Sequence, residues 1–204
     1  MYLQIFPSGP LQTNAILFGC EETKKAAVVD PSLASTGPIL WKAKELGLTI
    51  EKILLTHSHY DHIADVVLLK HKTGATIYVH SLDAPNLRHP GADGLKMPFE
   101  VEGIEPDQLI EDGATLEVGK LRIEVIHTPG HSPGCVCYYI PEEKVLFSGD
   151  TLFKGTYGAV HFPSSKPALM KNSLHKLGKL PSDTKVIPGH GRETTIENEA
   201  KIVR

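Results

Sequence analysis

In "THSHYDHIAD" (Thr56–Asp65), three histidines and one aspartate share six positions: His57, His59, Asp61 and His62. Imidazole nitrogen and carboxylate oxygen are ligands of divalent transition metals. His57 and His59 lie two apart, so in an extended segment both project to one side and reach a single ion. Asp61 and His62 follow at the turn into a helix and face a second position a few ångströms away. The spacing H-x-H-x-D-H therefore suits a two-metal site. Further ligands must come from distant parts of the chain, and three stand out: His131 in "HTPGHSPG", Asp150 in "LFSGDTLF" and His190 in "VIPGHGRE". Each ends an expected strand and is flanked by glycine, which permits tight turns and close backbone approach. A carboxylate can bridge two ions with its two oxygens. The expected partition is His57, His59, His131 and Asp150 on one ion, with Asp61, His62, His190 and Asp150 on the other. Asp61 has a second expected role, accepting the proton of a nucleophilic water. His71, His80, His89, His127, His161 and His175 read as ordinary surface or core residues.

The elements that must position these groups are short. Tyr2–Phe6, Asn14–Cys20 and Ala26–Asp30 read as strands, punctuated by Pro7, Gly9, Pro10 and the polar Glu21–Lys25 stretch. Gly37–Leu46 reads as a helix capped by Ser35 or Thr36 and stopped by Gly47. Ile53–Thr56 is a strand leading into the histidine cluster. Ile63–Lys72 carries helical apolar spacing and stops near Gly74. Thr76–His80 is a strand, and Leu82–Pro106 is a Pro- and Gly-rich loop with a short helix. Glu117–His127 forms a hairpin around Gly119. Cys135–Ile140 and Lys144–Ser148 form another across "PEE". A helix over Ser165–Leu177 starts near Pro167, and Lys185–Pro188 is the last strand. Strands in two runs, each followed by helices, predict two packed sheets with helices outside, a four-layer α/β arrangement. The absence of linkers and repeats predicts a single domain over residues 1–204.

Composition narrows the function classes. With 41% hydrophobic and 22% charged residues, the chain is not a disordered one. A net charge of −3 without a basic stripe gives no footprint for nucleic acid. No apolar run approaches the roughly 18–20 residues that cross a bilayer. The start MYLQIFPSGPLQTN lacks the pattern of a signal peptide, so the expected location is the cytoplasm, with no membrane partner. Composition specifies no oligomeric state. The three cysteines, Cys20, Cys135 and Cys137, are too sparse for a disulfide framework. Cys135 and Cys137 read as small core residues, with a metal or redox pair as the alternative.

"THSHYDH", "TPGHSPG", "FSGDTLF" and "PGHGRETT" together resemble the metallo-β-lactamase superfamily, and within it the glyoxalase II-like (hydroxyacylglutathione hydrolase-like) branch. The motifs span Thr56–Thr195. The resemblance implies an αββα sandwich with a dinuclear site at one edge. It also implies that the ligands named above are the family's ligands, position by position. Zinc is the first metal it implies, with iron or manganese compatible with the same donors.

The expected activity is metal-dependent hydrolysis of a small-molecule thioester. A hydroxide shared by two ions exists at neutral pH and attacks the carbonyl carbon, while one ion stabilises the developing oxyanion. A thiolate leaves without a strong proton donor. Thr56, Ser58 and Ser132 are within sequence reach to orient the histidines. The alternatives are a lactonase or other ester hydrolase on the same site, and an iron-dependent persulfide dioxygenase using His57, His131 and Asp150. A catalytically inert metal-binding module is the non-enzyme reading.

The sequence departs from the branch in three places. Residues 191–204 follow His190, whereas full-length glyoxalase II enzymes continue into a helical domain that helps hold glutathione. Gly158–Phe162 stands where short members often read G-R-T-D-F, which removes an arginine and leaves Lys154 and Tyr157 as candidate groups for an anionic substrate. Ala64 and Asp65 stand where many relatives carry two glycines. The segments that vary most, and so set specificity, are expected to be Leu82–Pro106 and Lys154–Lys166.

Overall fold

The computed structural model describes residues 1–204. One six-stranded sheet has the order β1 (Tyr2–Ser8), β2 (Thr13–Gly19), β3 (Lys25–Val29), β4 (Thr49–Leu54), β5 (Thr76–His80) and β6 (Gln108–Ile110). Its first three strands are antiparallel neighbours, and β3 through β6 run parallel. The parallel steps need crossovers. These are α1 (Thr36–Leu46), the pair α2 (Tyr60–Ile63) and α3 (Val66–Thr73), and the segment containing α4 (Ala84–Arg88). The second sheet draws on β7 (Thr115–Val118), β8 (Leu121–His127), β9 (Val136–Ile140), β10 (Val145–Gly149), β13 (Lys185–Pro188) and β14 (Thr194–Thr195). Its order is β14-β13-β10-β9-β8-β7. A small ribbon of β11 (Leu152–Phe153) and β12 (Thr156–Tyr157) lies between β10 and α5 (Pro167–Leu177), and α6 (Ala200–Val203) closes the chain.

Period-two alternation assigns the layers. Along β2, Ile16 and Phe18 join Val125, Tyr138 and Phe147 in a core between the sheets. Ala15 and Leu17 face the other way and pack with Ile39, Ile63 and Leu69 of the helices. On the second sheet, Tyr139, Leu146 and Val186 pack outward against Met170, Leu174 and Leu177 of α5. Three apolar layers separated by two sheets make the four-layer αββα sandwich. No helix is long and apolar enough to cross a membrane.

Two expectations are corrected. The helix over Ile63–Lys72 is broken at Ala64–Asp65 into α2 and α3. The Asp65 N–H donates to Pro31 O at 2.9 Å, outside the helix, and the Asp65 carboxylate accepts the Thr36 N–H at 2.9 Å. That second bond caps α1, whereas the Ser35 side chain makes no cap bond and the Ser35 and Thr36 hydroxyls are buried without partners. Strand β6, short and with only Ile110 buried, lies just beyond the segment read as loop. Both hairpins and the start of α5 at Pro167 are as expected.

Candidate metal centre

Every ligand candidate leaves the C-terminal end of a strand at one edge of the sandwich. His57, His59, Asp61 and His62 follow β4, His131 follows β8, Asp150 follows β10 and His190 follows β13. The loops approach closely. A Cβ on Gly189 would lie 2.2 Å from Asp150 Oδ1 and 2.7 Å from His62 Cε1, so only glycine fits beside the centre. Gly149 takes a φ of 48° to turn Asp150 inward, and a Cβ there would meet Thr56 Oγ1 at 2.4 Å.

Three close donor groups result: His57, His59 and His131; Asp61, His62 and His190; and, behind these two clusters, Asp30, His57 and His62. Asp150 lies between the two clusters. Its Oδ2 is 3.4 Å from His131 Nε2 and 3.5 Å from His190 Nε2, and its Oδ1 is 3.5 Å from His62 Nε2. In the second cluster the Nε2 atoms of His62 and His190 are 3.3 Å apart, and Asp61 Oδ2 lies 3.4 and 3.3 Å from them. Thr13 Oγ1 donates to Asp61 Oδ2 at 2.7 Å.

Surrounding groups fix which nitrogen of each ring faces inward. The Thr56 hydroxyl has one proton and gives it to Asp30 Oδ2 at 2.6 Å. It therefore accepts from His57 Nδ1 at 3.1 Å. His62 Nδ1 donates to Asp30 Oδ2 at 2.9 Å, His131 Nδ1 to Ala159 O at 2.8 Å and His190 Nδ1 to Leu11 O at 3.1 Å. All four rings thus aim Nε2 at the centre. The Nε2 atoms of His57 and His131 and Oδ1 of Asp150 are buried with no hydrogen-bond partner. Buried polar atoms are normally paired, and converging lone pairs repel unless a cation lies among them. The donors present, imidazole and carboxylate without thiolate, fit a pair of divalent transition-metal ions.

Electrostatics differ between the clusters. Burial, reinforced by the neighbouring imidazoles, holds His57 well below its usual range and His59 at about 3, and burial also lowers His131. Burial alone would depress His62 too, but Asp61, Asp150 and Asp30 push it up to about 9. His190 likewise overcomes burial through Asp150 and Asp61 and rises to about 10. Both aspartates stay ionised against burial because of the same histidines.

A cleft of about 560 Å³ opens over the clusters. Beyond the ligands it is lined by Leu11, Tyr60, Leu95, Lys96, Phe153, Ala159 and Phe162. Leu95 and Lys96 come from the loop after α4, and Ala159 and Phe162 from the loop after β12, the two segments expected to vary.

The sequence model of the metallo-beta-lactamase superfamily matches residues 8–190. The chain belongs to that superfamily. It is 35% identical over 196 residues to the probable metallo-hydrolase YqgX of Bacillus subtilis, covering 95% of this chain and 92% of that one. It is 32% identical over 206 residues to the hydroxyacylglutathione hydrolase GloC of Haemophilus influenzae, covering 98% and 96%. Among solved structures, the B3 metallo-beta-lactamase BLEG-1 superposes with a TM-score of 0.90 at 35% identity, covering 98% and 97%. TTHA1623, solved in a di-iron-bound form, gives 0.84 at 36% identity, covering 98% of each chain.

Within this superfamily member, all seven ligand candidates converge. Lys154 and Tyr157 do not join them. Both are exposed on the β11–β12 ribbon and outside the cleft lining, whose lysine is Lys96. Of the three hydroxyls expected to orient histidines, only Thr56 does so. Ser58 and Ser132 bind Asp83 instead: its carboxylate accepts the Ser58 N–H at 2.9 Å, the Gly134 N–H at 2.6 Å and the Ser132 hydroxyl at 2.9 Å. Burial pushes the Asp83 carboxyl up and these donors partly offset it. Asp83 therefore ties the loop of His57–His62 to the loop of His131. Cys135 and Cys137 are buried free thiols. Burial raises both, Cys137 to about 11, and they hydrogen-bond Ser132 and Thr128 rather than forming a pair.

Asp30, Asp83, Thr13 and Asn14 were missed by the sequence reading. Asn14 Nδ2 donates to Pro188 O at 2.9 Å and Gly191 O at 3.0 Å, bracing the His190 loop from either side. A signal existed for three of them: polar residues interrupt apolar strands at "LQTNAILF" and end one at "AAVVDPS". A polar group inside a buried strand needs a partner.

Proposed function

We propose that this protein is a dinuclear metal-dependent hydrolase of a small thioester, of the hydroxyacylglutathione hydrolase type. The position of Asp150 carries the reading, because its carboxylate lies between the clusters, with Oδ2 3.4 Å from His131 in the first and 3.5 Å from His190 in the second, and so offers one carboxylate to two ions. His57, His59, His131 and Asp150 would hold one ion, and Asp61, His62, His190 and Asp150 the other. Zinc is the first assignment, since hydrolysis needs no redox change, and iron or manganese suits the same donors. When bound, the ions supply Lewis acidity and bring the pKa of a water near neutrality.

The chain's own residues do the rest. Asp61, held by the Thr13 hydroxyl, is placed to take a proton from the attacking water. His57, His62, His131 and His190 keep Nε2 inward because Nδ1 is occupied. The apolar wall of Leu11, Leu95, Phe153 and Phe162 receives the thiol portion, and Lys96 meets an anionic group on it. A thioester suits this site because a thiolate leaves without a strong proton donor. The resemblance to a hydroxyacylglutathione hydrolase of about this length supports the assignment. A lactonase would use the same donors. A mononuclear iron dioxygenase would leave the second cluster without a role.

The purified protein, assayed with S-D-lactoylglutathione, is expected to hydrolyse it with about two ions per chain. Asp61→Ala should lower the rate on the order of 10²-fold. Two bound ions with no turnover would remove glutathione thioesters as substrates.

A further inference from the structure

His59 is the exception among the five histidines. The other four give Nδ1 to a protein acceptor and point Nε2 at the centre. The His59 ring has no hydrogen bond to the protein, and its Nε2 is shut away from solvent. The nearest acidic oxygen to that atom is Asp93 Oδ2 at 3.9 Å, and the two side chains are only 4% and 8% exposed. Nδ1 is thus the nitrogen left for an ion, and His59 is turned opposite to its neighbours.

Asp93 is itself held firmly. Its Oδ2 accepts from Asn86 Nδ2 at 3.0 Å, and the same Nδ2 donates to Ser58 O at 2.6 Å. Asn86 Oδ1 accepts the N–H groups of Gly91 and Asp93 at 3.0 and 3.1 Å. On its other side, Asp93 Oδ1 accepts the Leu95 N–H at 2.9 Å. A polar cavity of about 120 Å³, lined by His59, Asp83, Asp93, Ser132 and Ser164 among others, adjoins the gap and has room for a bridging water.

We infer that Asp93 is a positioning residue that receives the His59 Nε2 proton, directly or through one water, and couples the first metal cluster to the loop carrying Leu95 and Lys96. This rests on the dinuclear reading above. A metal on one ring nitrogen makes the opposite N–H a stronger donor, and a carboxylate opposite it strengthens the ligand in return. Because Asp93 also holds the Leu95 amide, occupation of the first cluster orders the cleft wall. The same carboxylate thereby serves metal retention and substrate placement.

The test uses the full chain with zinc as probe. Asp93→Ala and the isosteric Asp93→Asn are compared with wild type by zinc stoichiometry and competition with a chromophoric chelator. Hydrogen exchange is followed at the Leu95 amide. In wild type, two zinc ions bind and zinc slows that exchange. In both variants one ion is expected to bind about tenfold or more weaker, the other is retained, and zinc no longer protects the Leu95 amide. Asp93→Asn preserves side-chain volume, so it remains informative if Asp93→Ala does not fold. Wild-type affinity for both ions in Asp93→Asn overturns the inference, as does equal weakening of both, which marks a general structural role. Fewer than two ions on wild type itself is a failure of the dinuclear reading instead.

Discussion

The first cluster (His57, His59, His131) and the second (Asp61, His62, His190) both place histidines at the same edge of the sandwich, yet those histidines are shifted in opposite directions. In the first, burial and mutual repulsion keep the rings neutral. In the second, Asp61, Asp150 and Asp30 hold protons on His62 and His190 into the alkaline range. The distinction lies in the carboxylates, because both clusters are deep. Without an ion, the first cluster is a set of inward lone pairs, and the second already carries cations in the form of protons. An ion entering the first displaces nothing. An ion entering the second must evict protons.

The largest test removes what the clusters share. Asp150→Ala deletes the one carboxylate facing both, and occupancy of both is expected to collapse. Because a partner behind a ligand is worth about 10–100-fold, loss of a shared ligand should exceed that in turnover. Retention of two ions with most of the activity would show that the clusters are independent.

The next test concerns pH. Calorimetry in buffers of different ionisation enthalpy should register more proton release when the second cluster fills at neutral pH than when the first does, because the carboxylates raise His62 and His190. Affinity at the second cluster should fall as pH drops below about 9, while the first is insensitive until far lower. The metal-free protein should respond with the opposite sign. Raised histidine pKa values contribute stability that is complete below about 6.5, the unfolded value, and lost as pH rises through about 9 to 10. Melting temperature followed against pH, with and without chelator, checks both directions. Parallel curves would break the contrast.

The smallest effect is confined to one cluster. Thr13→Val keeps the shape but removes the 2.7 Å donor to Asp61. It should weaken the second ion by up to about tenfold and leave the first unchanged in the same chelator competition.

These contrasts bear on what a sequence reveals. All seven ligand candidates were legible, because donor type and spacing in "HSHYDH" and the glycine-flanked His131, Asp150 and His190 are local properties. The layers were legible because alternation along strands such as β2 and β8 is local too. The protonation difference was not, since it depends on how closely the fold sets Asp61 and Asp150 against His62 and His190, and on Asp30, which reaches His62 across 32 positions of the chain. Nor was the division of α2 from α3, because Asp65 satisfies Thr36 rather than its own helix. Lys154 and Tyr157 were read as substrate groups from their nearness to Asp150 in sequence. The ribbon instead holds them exposed and outside the cleft, and the cleft's lysine, Lys96, comes from the loop after α4.

The brace between Asn14 and the His190 loop has a consequence for biosynthesis. The Asn14 side chain bonds Pro188 and Gly191, and the Asn14 N–H bonds Gly189 O at 2.7 Å. These contacts join nearly the two extremes of the chain, so they close late, after the intervening loop entropy has been overcome. A ribosome-bound chain that has not yet emerged past residue 190 contains His57, His59 and His131 but no complete second cluster. The full pair of ion sites is therefore a property of the finished polypeptide. Completion of the second cluster therefore waits both for His190 to emerge and for the fold to close around it.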